Sequence, residues 1–131
     1  MKKELEVVAA IIVKNNKILC VQRDKSKYDY ISYKYEFPGG KVEKWETLEG
    51  GIIREIKEEL NQEIVIREKY ITVNHEYPDF KIIMHTFICD IEKNTINLNE
   101  HIDLRWLEVG ELKKLDWAEA DIPIVEELLR R

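Results

Sequence analysis

A chain of 131 residues, 44% hydrophobic and 36% charged, can both fill a core and coat it, and residues 1–131 are expected to form a single domain. Its 26 acidic against 21 basic residues leave a formal charge of −5, which disfavours the broad basic face that a nucleic-acid polymer requires, so no such partner is expected. The longest apolar run, residues 7–13, falls well short of the ~20 residues that cross a bilayer, and no membrane partner is expected either.

The first elements are two strands, 5–13 and 18–21, joined by the polar hairpin connection Lys14-Asn15-Asn16-Lys17. Lys2 and Lys3 ahead of the first strand are followed by Glu4 and Glu6 and by no small-residue cleavage site, so the segment reads as a strand rather than a targeting peptide. Next comes the loop Pro38-Gly39-Gly40, then a helix over 47–60, in which Leu48, Ile52, Ile56 and Leu60 recur every fourth residue and Ile53 widens the stripe. Segments 64–74 and 81–91 are β-rich and form a long hairpin around Tyr77-Pro78-Asp79; in the second, Ile82, Met84, Thr86 and Ile88 alternate with Ile83, His85, Phe87 and Cys89. A strand over 102–107, a short helix over 109–115 and a terminal helix over 122–131 complete the chain, the last with Asp121 as its N-cap and Pro123 just inside. This hairpin-rich order predicts a mixed sheet covered by helices, not a doubly wound parallel one. Cys20 and Cys89 form no metal-type pair or disulfide framework; both are expected buried and free, as in a reducing cytoplasm.

The informative segment is the central helix. Glu55, Glu58 and Glu59 stand at i, i+3 and i+4, so the three share one side of it, and Glu55 and Glu59 fall at the edge of the apolar stripe, partly screened from water. Alone, such acids are the wet face of an amphipathic helix, relieved by Arg54 and Lys57. Together with Gly39 and Gly40, which permit close backbone approach, with Lys41 as a cation and with Glu46 as a further carboxylate, they suit a hard divalent ion that in turn holds phosphate.

From Gly40, through Glu46, to Arg54-Glu55-Ile56-Lys57-Glu58-Glu59 the spacing resembles the Nudix box, G-x5-E-x7-R-E-U-x-E-E-x-G-U with U bulky and apolar. The departure is at the end, where Asn61 replaces Gly and Gln62 an apolar residue; Asn tolerates a left-handed helix terminus. Glu36-Phe37-Pro38-Gly39-Gly40-Lys41, Trp106 and Ala120-Asp121-Ile122-Pro123 extend a looser resemblance to the MutT-type nucleoside triphosphate diphosphohydrolases over nearly the whole chain. The resemblance implies an α/β fold, the Nudix α/β/α sandwich with a mixed central sheet. It further implies hydrolysis of a (deoxy)nucleoside triphosphate to the monophosphate and pyrophosphate by attack at the β-phosphorus, with Mg²⁺ as cofactor and Mn²⁺ as a substitute. The substrates so implied are 8-oxo-dGTP or CTP and modified dCTP, in a nucleotide-sanitising role. Hydrolysis of ADP-ribose, a dinucleoside polyphosphate or capped RNA is the enzymatic alternative, and a non-catalytic nucleotide sensor the other.

By the same resemblance the metal ligands are drawn from Glu55, Glu58 and Glu59, with Glu55 and Glu59 foremost and the Gly39 carbonyl as a further candidate, while Arg54 orients carboxylates, Glu46 foremost. Glu100, six residues before Trp106, is similar to the catalytic loop glutamate that activates or orients water. His101 beside it is expected to be an exposed loop residue. Asp121 is similar to the base-recognition position, a role compatible with N-capping; Arg23 is similar to a nucleotide-contacting arginine; Phe37 and Tyr77 are expected in the base pocket, and Gly40 and Lys41 near the phosphates.

Overall fold

Leu5 to Val13 alternates apolar residues on both faces, and the first strand built from it, β1 (Lys3–Lys14), is the one around which the other elements are arranged in the computed structural model, which describes residues 2–93 and 95–131. It turns into β2 (Lys17–Arg23) through Asn15 and Asn16, both with left-handed φ (54° and 64°), a conformation that Asn tolerates and that suits a two-residue hairpin turn. Two short strands follow, β3 (Tyr35–Glu36) and β4 (Gly39–Lys41), then helix α1 (Leu48–Leu60). The long hairpin is β5 (Ile64–Glu76) and β6 (Phe80–Ile91), and β7 (His101–Leu107) is the last strand.

The sheet order is β3-β2-β1-β6-β5, with β4 also paired to β1 and β7 to β2. Among the described strands β1 and β6 pair in parallel, in register from Lys3↔Phe80 to Val13↔Asp90, and the other strand pairs are antiparallel, so the sheet is mixed and the class is α/β, as expected. The segment over 109–115 coils as a 3-10 turn (Val109–Lys114), held where the Trp117 indole N–H donates to the Leu112 carbonyl at 2.6 Å. The chain ends in α2 (Ile122–Arg130), entered through a short 3-10 turn (Glu119–Asp121).

Period-two alternation sends β1 side chains to two cores. Val8, Ala10 and Ile12 pack with Ile52, Ile56 and Leu60 of α1, while Ala9 and Ile11 pack with Ile124, Val125 and Leu128 of α2. Each fully buried aliphatic side chain contributes about 2 kcal/mol of apolar burial, and this seam fixes α1 against the sheet. Cys20 and Cys89 are buried and free, and burial pushes each thiol up to about 12. No helix among the described residues is long and apolar enough to cross a membrane.

Two expectations need correction. Ile53 does not widen the buried stripe; it is 44% exposed, because one further step around α1 carries it past the arc occupied by Ile52, Ile56 and Leu60. Asp121 does not cap α2: its own φ and ψ are helical and its side chain makes no capping bond, since it is committed to Phe37 across the sheet edge.

Candidate active site

Strands β1 and β2 pair closely only at their hairpin end, and β4 enters the space between, with Val7↔Lys41, Val8↔Gly40 and Ala9↔Gly39. A loop was expected at Pro38-Gly39-Gly40; the backbone instead completes a ladder, with the Pro38 carbonyl accepting from Ala10 N–H at 2.8 Å. That approach explains both glycines. A Cβ on Gly39 would lie 1.9 Å from the Val8 carbonyl oxygen, and one on Gly40 would lie 2.5 Å from the Glu55 carboxylate. Gly39→Ala therefore strikes rigid backbone and is expected to lower the unfolding free energy by about 3 kcal/mol or more, whereas Gly40→Ala displaces the end of a side chain and should cost about 1 kcal/mol or less. Urea denaturation of the two variants checks the contrast.

Helix α1 begins at Thr47, whose side chain accepts from Gly50 N–H at 3.0 Å, and it lays its carboxylates against this ladder. Glu59 is 7% exposed and accepts from Gly39 N–H at 3.1 Å. Burial pushes its carboxyl up to about 9, and the charges of Glu36, Glu100 and Glu55 add to the effect. Glu55 is raised for the same first reason, against the pull of Arg54. Glu100 stands close enough to raise both.

Arg54 gathers the remaining acids. Its Nε and Nη2 grip Glu46 at 2.6 and 2.8 Å, Nη2 also reaches the Lys41 carbonyl at 3.0 Å, and Nη1 donates to Glu55 at 3.2 Å and to Glu58 at 2.9 and 3.1 Å. The guanidinium bonds hold Glu46 below the usual carboxylate range. Glu58 is exposed and faces Arg54 rather than the Gly39 ladder. Among the described residues no three His, Cys, Asp or Glu side chains converge closely enough to enclose an ion in this arrangement. The donors near Glu59 are all hard oxygens, and a buried carboxylate surrounded by others lacks a countercharge; both properties suit a divalent cation.

From Gly39, Gly40, Lys41 and Glu59 a cavity of about 500 Å³ runs to Arg23, Phe37, Tyr77 and Asp121, so eight of the residues singled out in the sequence line one space. Glu55, Glu58, Glu100, Arg54 and Glu46 are not part of its wall. At the far end Asp121 is 5% exposed and accepts from Phe37 N–H at 3.0 Å; burial, then the Glu36 charge, holds its carboxyl well above the ordinary value. Phe37 stacks on Trp117 at 4.8 Å. Tyr77 is buried against Tyr30 and accepts from Ala120 N–H at 3.0 Å.

The sequence reading missed a link between the two ends. His101 is not exposed but 8% accessible, because β7 begins there and turns it inward, where Nε2 lies 3.0 Å from Glu36. Glu36 also takes Arg23 Nη1 at 3.2 Å. Glu36 adjoins Phe37 in the quoted motif, yet its partners stand 13 and 65 residues away, so no local signal marked it.

The sequence profile of the NUDIX domain matches residues 4–128. The chain belongs to the Nudix family. It is 36% identical over 124 residues to the CTP pyrophosphohydrolase of Escherichia coli (strain K12), covering 95% of this chain and 90% of that protein. It is 33% identical over 96 residues to the 8-oxo-dGTP diphosphatase of Proteus vulgaris, covering 72% and 84% respectively. Among solved structures, a MutT protein of the Nudix hydrolase family from methicillin-resistant Staphylococcus aureus 252 superposes with a TM-score of 0.76 at 44% identity, over 99% of this chain and 98% of that one. The Nudix sandwich expected from the box is thus the observed fold, and the box occupies the β4–α1 unit described above.

Proposed function

We propose that this chain is a divalent-cation-dependent hydrolase of a (deoxy)nucleoside triphosphate, releasing the monophosphate and pyrophosphate, with a MutT-like role on 8-oxo-dGTP or on CTP and modified dCTP. The observation that carries the reading is the continuity of one cavity from the Asp121 end to the Gly39–Glu59 end, which allows a base and its phosphates to be held at once. The names of the related CTP and 8-oxo-dGTP enzymes support the substrate class.

In this reading Glu55, Glu59 and the Gly39 carbonyl would hold Mg²⁺, with Mn²⁺ as a substitute, and Glu58, already paired with Arg54, would be the weakest of the ligands. The cation, when bound, neutralises phosphate charge and polarises the phosphoryl oxygen. Arg54 and Glu46 keep the carboxylates oriented, a task for which the bidentate guanidinium is suited. Glu100 takes a proton from, or orients, the attacking water. Lys41 and Arg23 balance phosphate charge, and Gly40 leaves room for Glu55. Asp121 reads the base: one oxygen is occupied by Phe37 N–H, and the other accepts from a base N–H or, while the acid is protonated, donates to a base acceptor. Phe37 and Tyr77 wall the base site.

A panel of nucleotides with Mg²⁺ and product identification tests the proposal. Pyrophosphate should be released from a nucleoside triphosphate; turnover confined to ADP-ribose, with AMP and ribose phosphate as products, would overturn it, as would binding without turnover. Asp121→Ala should raise KM for the preferred triphosphate by roughly 10- to 100-fold, the cost of an unpaired base donor, with a smaller change in kcat. An unchanged KM would remove Asp121 from recognition.

A further inference from the structure

The box departs from its signature at Asn61 and Gln62, where helix α1 meets the segment that leads to Glu100. A helix ends with carbonyls that have no partner within it. Asn61, with φ 54°, closes the first of them: its N–H donates to the Lys57 carbonyl at 3.1 Å. The next three are met from outside the helix. Asn99 Nδ2 donates to the Glu58 carbonyl at 2.8 Å, Asn99 N–H to the Glu59 carbonyl at 3.1 Å, and Asn97 N–H to the Leu60 carbonyl at 3.2 Å. Gln62, only 5% exposed, turns its side-chain amide to the Thr95 carbonyl of the same segment. On the other side of Glu100, the buried His101 is fastened to Glu36. Glu100 is therefore an exposed residue between two tethered neighbours, facing the carboxylates that its charge perturbs.

We propose that Asn99 is a positioning residue for Glu100: by docking on the Glu58 and Glu59 carbonyls it holds Glu100 against the Glu55–Glu59 carboxylates, and Gln62 fastens the start of the same segment. The inference rests on the reading that Glu100 handles the attacking water. Asn suits the position because it offers a backbone and a side-chain donor to successive carbonyls; Asp would set a negative charge against those carbonyls and the negative end of the helix. The departure at Gln62 thus exchanges an apolar contact for a hydrogen bond to the catalytic segment. Since a displacement near 1 Å can cost about 10²-fold in rate, docking of the loop on the metal-ligand helix sets the reaction geometry directly.

The test is a cycle of Asn99→Ala, Glu100→Gln and the double variant, assayed for pyrophosphate release, with ¹⁵N relaxation of the amides of residues 96–101. Asn99 is exposed, so its truncation leaves both cores intact. Asn99→Ala should lower kcat on the order of tenfold with KM within about twofold, and the double variant should be no slower than Glu100→Gln. The Glu100 amide should become mobile in Asn99→Ala, and Asn99→Asp should be at least as slow. Wild-type kcat in Asn99→Ala, or losses that multiply in the double variant, would overturn the proposal. Full activity in Glu100→Gln overturns it at its premise while leaving pyrophosphate release by the wild type untouched. If the wild type hydrolyses no nucleotide, the functional reading fails separately, and relaxation decides the docking: amides equally ordered in both proteins overturn it, and order lost on truncation supports it.

Discussion

Glu59→Gln is expected to reduce pyrophosphate release by on the order of 10³-fold in kcat with the fold intact. The amide is isosteric with the carboxylate, and its oxygen can still accept from Gly39 N–H, the contact that seats the side chain. What disappears is the ability of the most buried of the helix acids to exchange its proton for a cation and carry a negative charge beneath it, where the pairing gains most because little water competes. Glu58→Gln supplies the contrast. That carboxylate is exposed and already satisfied by Arg54, so a loss of about tenfold or less is expected. Steady-state rates across Mg²⁺ concentrations, with circular dichroism as a fold control, make the comparison. Equal losses at the two positions would move the centre of the site outward, and an active Glu59→Gln would dismantle the assignment.

The same helix shows why parts of the site are readable from sequence and others are not. Its apolar period and the i, i+3, i+4 spacing of its glutamates are local properties, so the buried seam of Ile52, Ile56 and Leu60, with Leu48 half-buried at its start, and the grouping of acids follow from the sequence. The strand alternation of β1 and β6 is equally local. β4 is not: Gly39 and Gly40 have no side chains to alternate, and they form a strand only because β1 and β2 separate and leave donors and acceptors to be met. Asp121 carries a sound local capping signal that a distant donor, Phe37 N–H, overrides. His101 and Glu36 meet across 65 residues, and only the register of β7 on β2 brings them together. Gln62 stands in the sequence only as a departure from an apolar position, because its partner, the Thr95 carbonyl, is invisible in the one-dimensional pattern.

Freed of divalent ions by a chelator, the protein is expected to lose stability as pH rises from about 5 to about 9. The sign follows from Glu59. Its carboxyl is pushed from 4.5 to about 9 by burial first and then by its acidic neighbours, so between these values the folded chain retains a proton that the unfolded chain has released. Raising the pH across that window therefore favours unfolding, and the raised carboxyls of Glu55 and Asp121 push the same way. Glu46, Glu76 and Asp103 are shifted downward; their contribution is complete above the ordinary carboxylate range, is lost only at lower pH, and does not alter the slope in this window. With each tenfold change in proton affinity equivalent to about 1.4 kcal/mol, the full Glu59 shift sets a ceiling of about 6 kcal/mol, and a loss of several kcal/mol is expected, with a Tm lower by on the order of 10 °C. Mg²⁺ should restore most of it at pH 9 and little at pH 5, since cation and proton compete for the same oxygens. Glu59→Gln should flatten the pH slope and abolish the Mg²⁺ effect together. Thermal scans at several pH values, with and without Mg²⁺, read all three outcomes, and a variant that kept the wild-type slope would place the cation elsewhere.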